Sequence, residues 1–286
     1  MKVYALVTLF HPKKENITGI NEIANQVDRL YLLDNSEEDN SSLFNEIKNI
    51  RYINLSDNMG LPKAFNYVLK DSSLNWEDED YILFFDQDSV IRSSHVKDEI
   101  SIFDMLAQKT NIGCLGISYF NTSSGTQEIP RIKKEISEGC YIVNDVITSS
   151  MLTRYGIIKK VNFWNEDVFL DCADWDLCWR LKELGYHICI TNKVIFEHSV
   201  GTGDINLGLV KLRSCPPIRS YYRTRDNLNL IKKKYTPFRL RINMIIDCTF
   251  FNVLRVIFLP ETKIRVKLMN KAWKDSIRNV TGKYYE

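Results

Sequence analysis

Ile82-Leu83-Phe84-Phe85 is an unbroken apolar run, and Asp86-Gln87-Asp88-Ser89 ends it abruptly. Such a run reads as a strand buried on both faces, the kind that lies centrally in a parallel sheet. Asp86 and Asp88 are two residues apart, so in an extended chain both carboxylates point to one side. A carboxylate pair leaving the end of a central strand is poorly placed for packing. It is well placed to hold a divalent cation against a phosphorylated ligand in the crevice of an open α/β sheet. An acidic turn capped by Ser89 is the simpler alternative.

The preceding chain repeats this pattern. Val3–Phe10 reads as a strand, 16–27 as an amphipathic helix, and Leu30–Leu33 as a second buried strand ending at Asp34. Ile50–Leu55 is a third strand. A helix follows over Leu61–Leu69, with Pro62 in its first turn. The order β-α-β-β-α-β, with strands ending in Asp or Asn, describes a nucleotide-binding α/β half. Further on, the patterns predict a helix at 93–108, a strand at Ile112–Tyr119 and a strand running into a helix at Val143–Leu152. A helix at Asp174–Leu184 stopped by Gly185, and a strand at Ile188–Phe196, complete this part. From Ile218 onward the pattern is helical and basic.

At 286 residues the chain is one large domain or a domain with an appendage. Seven cysteines without a CxxC pair argue against a disulfide framework or a zinc site, and suit reduced thiols in the cytosol. The amino-terminal run lacks a small-residue cleavage site and reads as a strand. The net charge of +2 hides an asymmetry: residues 205–286 carry 18 Lys and Arg against 5 Asp and Glu, and the rest carries 20 against 31. The acidic part suits a metal site and the basic tail an anionic surface.

Five motifs occur in a familiar order. They are Asp34-Asn35, the stretch Asn58 to Asn66 containing Gly60 and Ala64, Asp86-Gln87-Asp88-Ser89, the cluster Asp171 to Arg180, and His198-Ser199 with Gly201. Residues 3–235 thereby resemble glycosyltransferase family 2, the inverting GT-A enzymes. With Tyr221-Tyr222 and Arg225-Asp226 the likeness is greatest to bacterial dTDP-rhamnosyltransferases of surface-polysaccharide assembly. The resemblance implies an α/β GT-A fold around one mixed sheet. A Rossmann-like nucleotide-sugar-binding half would occupy 1–90, an acceptor-binding half 91–215, and a basic helical extension 216–286.

Roles follow by resemblance, each beside a local alternative. Asp34 would hold the base through its imide N–H, where an Asx turn is the rival account. Asn58, Gly60, Lys63 and Asn66 would lie near the nucleotide, at a Gly turn opening a helix whose free N–H groups favour anions. Asp88 would ligate Mg²⁺ or Mn²⁺, with Asp86 supporting the metal or ribose, Gln87 beside them and His198 completing the shell. Asp174 is the candidate general base for the acceptor hydroxyl, against the reading as a helix N-cap. Its crowding with Asp171 and Asp176 would raise at least one pKa. Trp175 would wall the site, and Arg180 would offset the cluster's charge. Tyr222 and Arg225 belong to a basic-aromatic strip that would clamp phosphate or line the acceptor cleft, unless it is merely a solvated face.

Met244–Leu259 is apolar but shorter than a membrane span. With Lys263, Arg265, Lys267, Lys271 and Lys274 nearby, it fits an amphipathic helix on an anionic leaflet, against packing on the domain or in a homodimer. The expectation is a bacterial enzyme on the cytoplasmic face of the cell membrane. It would move L-rhamnose from dTDP-rhamnose to a polyprenyl-diphosphate-linked oligosaccharide of O-antigen or capsule. A UDP-hexose donor is the nearest alternative, and a non-enzymatic membrane or nucleic-acid scaffold a distant one; the acidic first two-thirds speaks against nucleic acid.

Overall fold

The computed structural model describes residues 1–121, 126–198, 205–206, 208, 211–212 and 214–285. Parallel strands β1 (Val3–Leu9), β2 (Arg29–Asp34), β3 (Ile50–Asn54) and β4 (Tyr81–Asp86) lie side by side in the order β3-β2-β1-β4. Helices α1 (Asn16–Ala24) and α2 (Leu61–Leu69) join β1 to β2 and β3 to β4. The register explains the apolar runs. Leu6, Ile82 and Phe84 belong to the core on one face of the sheet, and Ala5, Val7, Leu83 and Phe85 to the core on the other. Each such side chain contributes ~1.5–3 kcal/mol on burial, so these strands have no polar face to spare.

The second half continues through α3 (His95–Ala107), β5 (Ile112–Asn121), β6 (Thr126–Glu128), β7 (Lys134–Ser137), β8 (Cys140–Val143), β9 (Met151–Arg154), α4 (Tyr155–Lys160), α5 (Ala173–Glu183) and β10 (His187–His198). Among the described residues, ten strands form one mixed sheet in the order β3-β2-β1-β4-β9-β5-β10-β8-β7, with β6 on β5. The expectation of a strand running into a helix over Val143–Leu152 fails. β8 ends at Val143, residues 144–150 are irregular, and β9 then inserts antiparallel between β4 and β5. Leu152 pairs with both Leu83 and Leu115, so this four-residue strand stitches the two halves together.

After a short pair, β11 (Ile205–Asn206) and β12 (Lys211–Leu212), the chain turns helical. Helix α6 (Pro217–Ile231) packs on α9 (Thr262–Ile277). Between them run α7 (Phe238–Ile246), a π-turn at Asp247–Phe251 and α8 (Asn252–Phe258). Among the described residues no helix is long and apolar enough to cross a membrane.

Candidate active site

The register sets Asp86 beside Thr8 and Asp34 beside Leu9, so both acids stand at the carboxyl edge of the parallel strands, flanking β1. Asp86 is half-buried and Asp88 exposed. Gln87 bonds to the backbone at the end of β1. Its Oε1 accepts the Phe10 N–H at 2.8 Å and its Nε2 donates to the Phe10 carbonyl at 3.3 Å, tying the end of β4 to the end of β1.

Below this loop lies a buried polar network that the sequence motifs do not reveal. Ser89 Oγ meets Ser149 Oγ at 2.6 Å. The adjacent Ser150, at φ +57, donates to Glu99 at 3.0 Å and meets His95 Nε2 at 2.7 Å. Burial raises the Glu99 carboxyl well above its ordinary range and lowers His95 to about 4, in each case favouring the neutral form. Gly19 of α1 abuts the Ser89 carbonyl so closely that a Cβ there would overlap it. The acidic loop is therefore fixed from beneath by α1 and by residues 149–150.

Asp34 is fully buried and accepts four hydrogen bonds. The N–H and hydroxyl of Ser36 reach one oxygen at 2.9 and 2.6 Å, and Asn40 Nδ2 and the Tyr52 hydroxyl reach the other at 2.9 and 2.6 Å. The carboxylate organises residues 34–52, and it would meet a base only by giving up one of these donors. The Asn58 side chain accepts the Gly60 N–H at 3.1 Å. Gly60 opens α2 at φ +83, where a Cβ would sit 2.5 Å from the Phe169 carbonyl; that carbonyl accepts the Leu61 N–H at 2.8 Å. Lys63 is exposed in the first turn of α2. Asn66 is buried with its amide committed to the loop before α5: it donates to the Trp164 carbonyl at 2.8 Å and Glu166 at 2.7 Å, and accepts the Trp164 N–H at 3.1 Å. That use accounts for Asn66 without a nucleotide.

The second acidic cluster divides by role. Cys172, at φ +67, caps α5, which removes the N-cap account of Asp174. A left-handed cysteine costs ~1–2 kcal/mol, and such strain gathers at functional sites. Asp171 forms a two-point pair with the exposed Arg219, at 2.8 and 3.3 Å. Asp176 is fully buried and accepts from Arg180 Nε at 2.7 Å, the Tyr235 hydroxyl at 2.6 Å and Asn165 at 3.1 Å. Arg180 also donates to the carbonyls of Val161 and Phe163, at 2.5 and 2.8 Å. Asp176 and Arg180 thus hold the loop before α5 and the turn that follows α6. Asp174 differs: its carboxylate accepts the N–H of the neighbouring Trp175, at 2.8 Å, and braces no distant segment through that bond. It keeps partial solvent access, yet protein crowds its carboxyl. Burial first, then the charges of Asp145, Asp86 and Asp171, push its pKa up to about 7. Asp86 and Asp174, 88 positions apart in the chain, therefore share one electrostatic environment. Asp145, on the irregular 144–150 segment, joins them unforeseen. Trp175 is partly exposed beside Asp174.

In the basic-aromatic strip Tyr221, Tyr222 and Arg225 are buried, while Arg219 is exposed. Arg225 is fully buried, with its guanidinium 5.3 Å from the ring centroids of both Tyr221 and Tyr222. It pairs with Asp226 at 2.7 Å and donates to the Gly282 carbonyl at 2.7 Å. Tyr222 stacks on Phe169 at 3.8 Å and its hydroxyl accepts the Tyr284 N–H at 2.9 Å. Burial by distant residues overrides the reading from charge alone. The same contacts bring residues 282–285 back over the first part of the sheet, where Lys283 pairs with Asp57 next to Asn58. The side chain of His198, with residues 199–204, lies outside the described residues.

A mixed α/β sheet with carboxylates from two halves gathered at its parallel-strand edge is the arrangement of a GT-A transferase. No family model matches this chain. It is 25% identical, over 98% of its own length and 97% of the relative's, to dTDP-rhamnosyl transferase RfbF of Shigella flexneri. Among solved structures, S. aureus TarS residues 1–349 in complex with UDP-GlcNAc matches with a TM-score of 0.59 at 14% identity, over 98% of this chain and 89% of that one. GalNAc-T7 with UDP, GalNAc and Mn²⁺ matches with a TM-score of 0.55 at 7% identity, over 86% and 54%. The chain is a glycosyltransferase with the GT-A fold.

Proposed function

We propose that the chain transfers L-rhamnose from dTDP-β-L-rhamnose, with inversion, to a hydroxyl of a lipid-linked oligosaccharide in O-antigen or capsule assembly. The whole-length likeness to the Shigella protein carries the choice of donor. Asp174 accepts the proton of the acceptor hydroxyl, whose oxygen bonds to the anomeric carbon. The bond from that carbon to the diphosphate breaks, and its electron pair leaves with dTDP. A base poised near neutral pH suits this task, with a typical gain of ~10²–10⁴. Trp175 walls the acceptor side, and the exposed Lys63 in the first turn of α2 offers a cation to the diphosphate.

The residues fit a divalent cation. Asp86 and Asp88 offer hard carboxylate oxygens, the ligand type that Mg²⁺ and Mn²⁺ take. The repulsion that lifts Asp174 is of the kind a cation at this edge would relieve. Among the described residues no three His, Cys, Asp or Glu side chains converge as a cage. Asp86 and Asp88 would hold the ion, which when bound neutralises charge developing on the departing diphosphate.

A thermal-shift screen of nucleotide sugars with Mn²⁺ tests the donor. Stabilisation by dTDP-rhamnose and not by UDP-hexoses is expected. Stabilisation by a UDP-hexose alone would replace the rhamnosyl assignment.

A further inference from the structure

The segment α7, π-turn and α8 carries apolar side chains on its outward side. Its nine, five and seven residues follow one another without a break. They make a rod about 30 Å long at helical rise. The side facing α6 mixes the buried Met244 and Cys248 with polar groups. Asp247 there pairs with Arg223 at 2.9 Å and Arg255 at 2.6 Å, and the buried Asn252 donates to Thr224 at 2.8 Å. The outward side is apolar: Phe238 is 77% exposed, Ile257 62%, Phe250 54% and Val253 52%, with Ile242 and Ile246 also open. These positions recur at helical spacing along one stripe. A helix on a water-facing surface has the opposite arrangement, and an apolar strip of this length marks an interaction surface.

Charge selects the occupant. Lys234 and Arg239 are exposed at one end, and Lys263 and Lys267 at the other, while Glu261 is the exposed acid between them. A two-fold contact with a second copy would bring these cationic ends into one interface, repelling each other. An anionic leaflet pairs with them instead. We infer that this outward face is a membrane-docking surface that lies flat in the headgroup region of an anionic bilayer, with Phe238, Phe250, Val253 and Ile257 inserted and the lysines on lipid phosphates. Arg239, Arg241, Asp247 and Arg255 interrupt the rod, so it does not fit a span, in keeping with the absence of a spanning helix among the described residues.

The inference deepens the proposed action on a lipid-linked acceptor, yet its test needs no sugar, so either can fail alone. The full chain is sedimented with vesicles of phosphatidylcholine alone or with phosphatidylglycerol added, at low and high salt. Binding only to the anionic vesicles is expected, weakening at high salt. Phe250→Asn with Ile257→Asn should weaken binding about tenfold or more, since each change removes inserted apolar area at a site already exposed in the fold. Lys263→Glu with Lys267→Glu, which leaves the apolar stripe intact, should do so too by removing the attraction to lipid phosphate. Equal sedimentation of wild type and both variants overturns the proposal. So does absence of vesicle binding with concentration-dependent dimerisation abolished by the Asn pair, which would assign the face to a second copy.

Discussion

The sheet edge and the helical extension treat their acids in opposite ways. In the extension each buried aspartate has a cation: Asp226 has Arg225, Asp247 has Arg223 and Arg255, and Asp275 has Lys271 at 3.4 Å. Burial still pushes Asp226 up to about 6, but Arg225 pulls against it. At the sheet edge the order reverses. The charged groups acting most on Asp174 are Asp145, Asp86 and Asp171, three further carboxylates, and its pKa climbs to about 7. A chain able to match buried acids with arginine in one region leaves them crowded in another. That crowding costs stability, and it supplies a proton acceptor near neutral pH.

Substitutions can break this contrast from either side. Arg225→Ala leaves Asp226 buried without its cation and should lower stability by ~3–5 kcal/mol in urea denaturation. Arg225→Lys should recover little, since an ammonium cannot bridge Asp226 and the Gly282 carbonyl between two rings. Asn66→Ala strands the Trp164 N–H and carbonyl and should cost ~1–3 kcal/mol by the same measurement. Gly60→Ala should cost at least ~1 kcal/mol, because φ is positive and the Cβ meets a backbone carbonyl. A further effect concerns pH. Asp174 has a folded pKa raised above its ordinary 3.8, so its stabilising contribution is complete below about pH 4 and is lost as pH rises through about 7. Asp174→Asn should therefore gain stability relative to wild type between pH 5 and pH 8 in metal-free buffer. An unchanged difference across that range would count against the crowding.

Much of residues 1–90 is legible in the sequence because strands buried on both faces cannot hide. β1, β2 and β4 are apolar runs that stop at the sheet edge, and the limits of α2 follow from Pro62 and its apolar spacing. Strand β9 is not legible. Its four residues owe their conformation to pairing with Leu83 and Leu115, far away in the chain. The roles of Asn66, Asp176 and Gln87 are equally hidden, since a polar side chain that binds a ligand and one that braces a loop have the same composition. Arg225 reads as a surface charge until Tyr221 and Tyr222 close around it. In the extension, periodicity reveals an apolar stripe, but only the packing of α6 shows that it faces outward.

The most direct test is transfer by Asp174→Asn, measured as dTDP release with rhamnosyl product formed from dTDP-rhamnose, an acceptor and Mn²⁺. The variant should bind dTDP with Mn²⁺ as wild type does while transfer falls by ~10²–10⁴. Wild-type transfer should decline below an apparent pKa at or under about 7, since a bound cation lowers the value from that of the free carboxyl. Undiminished transfer by the variant would contradict the account.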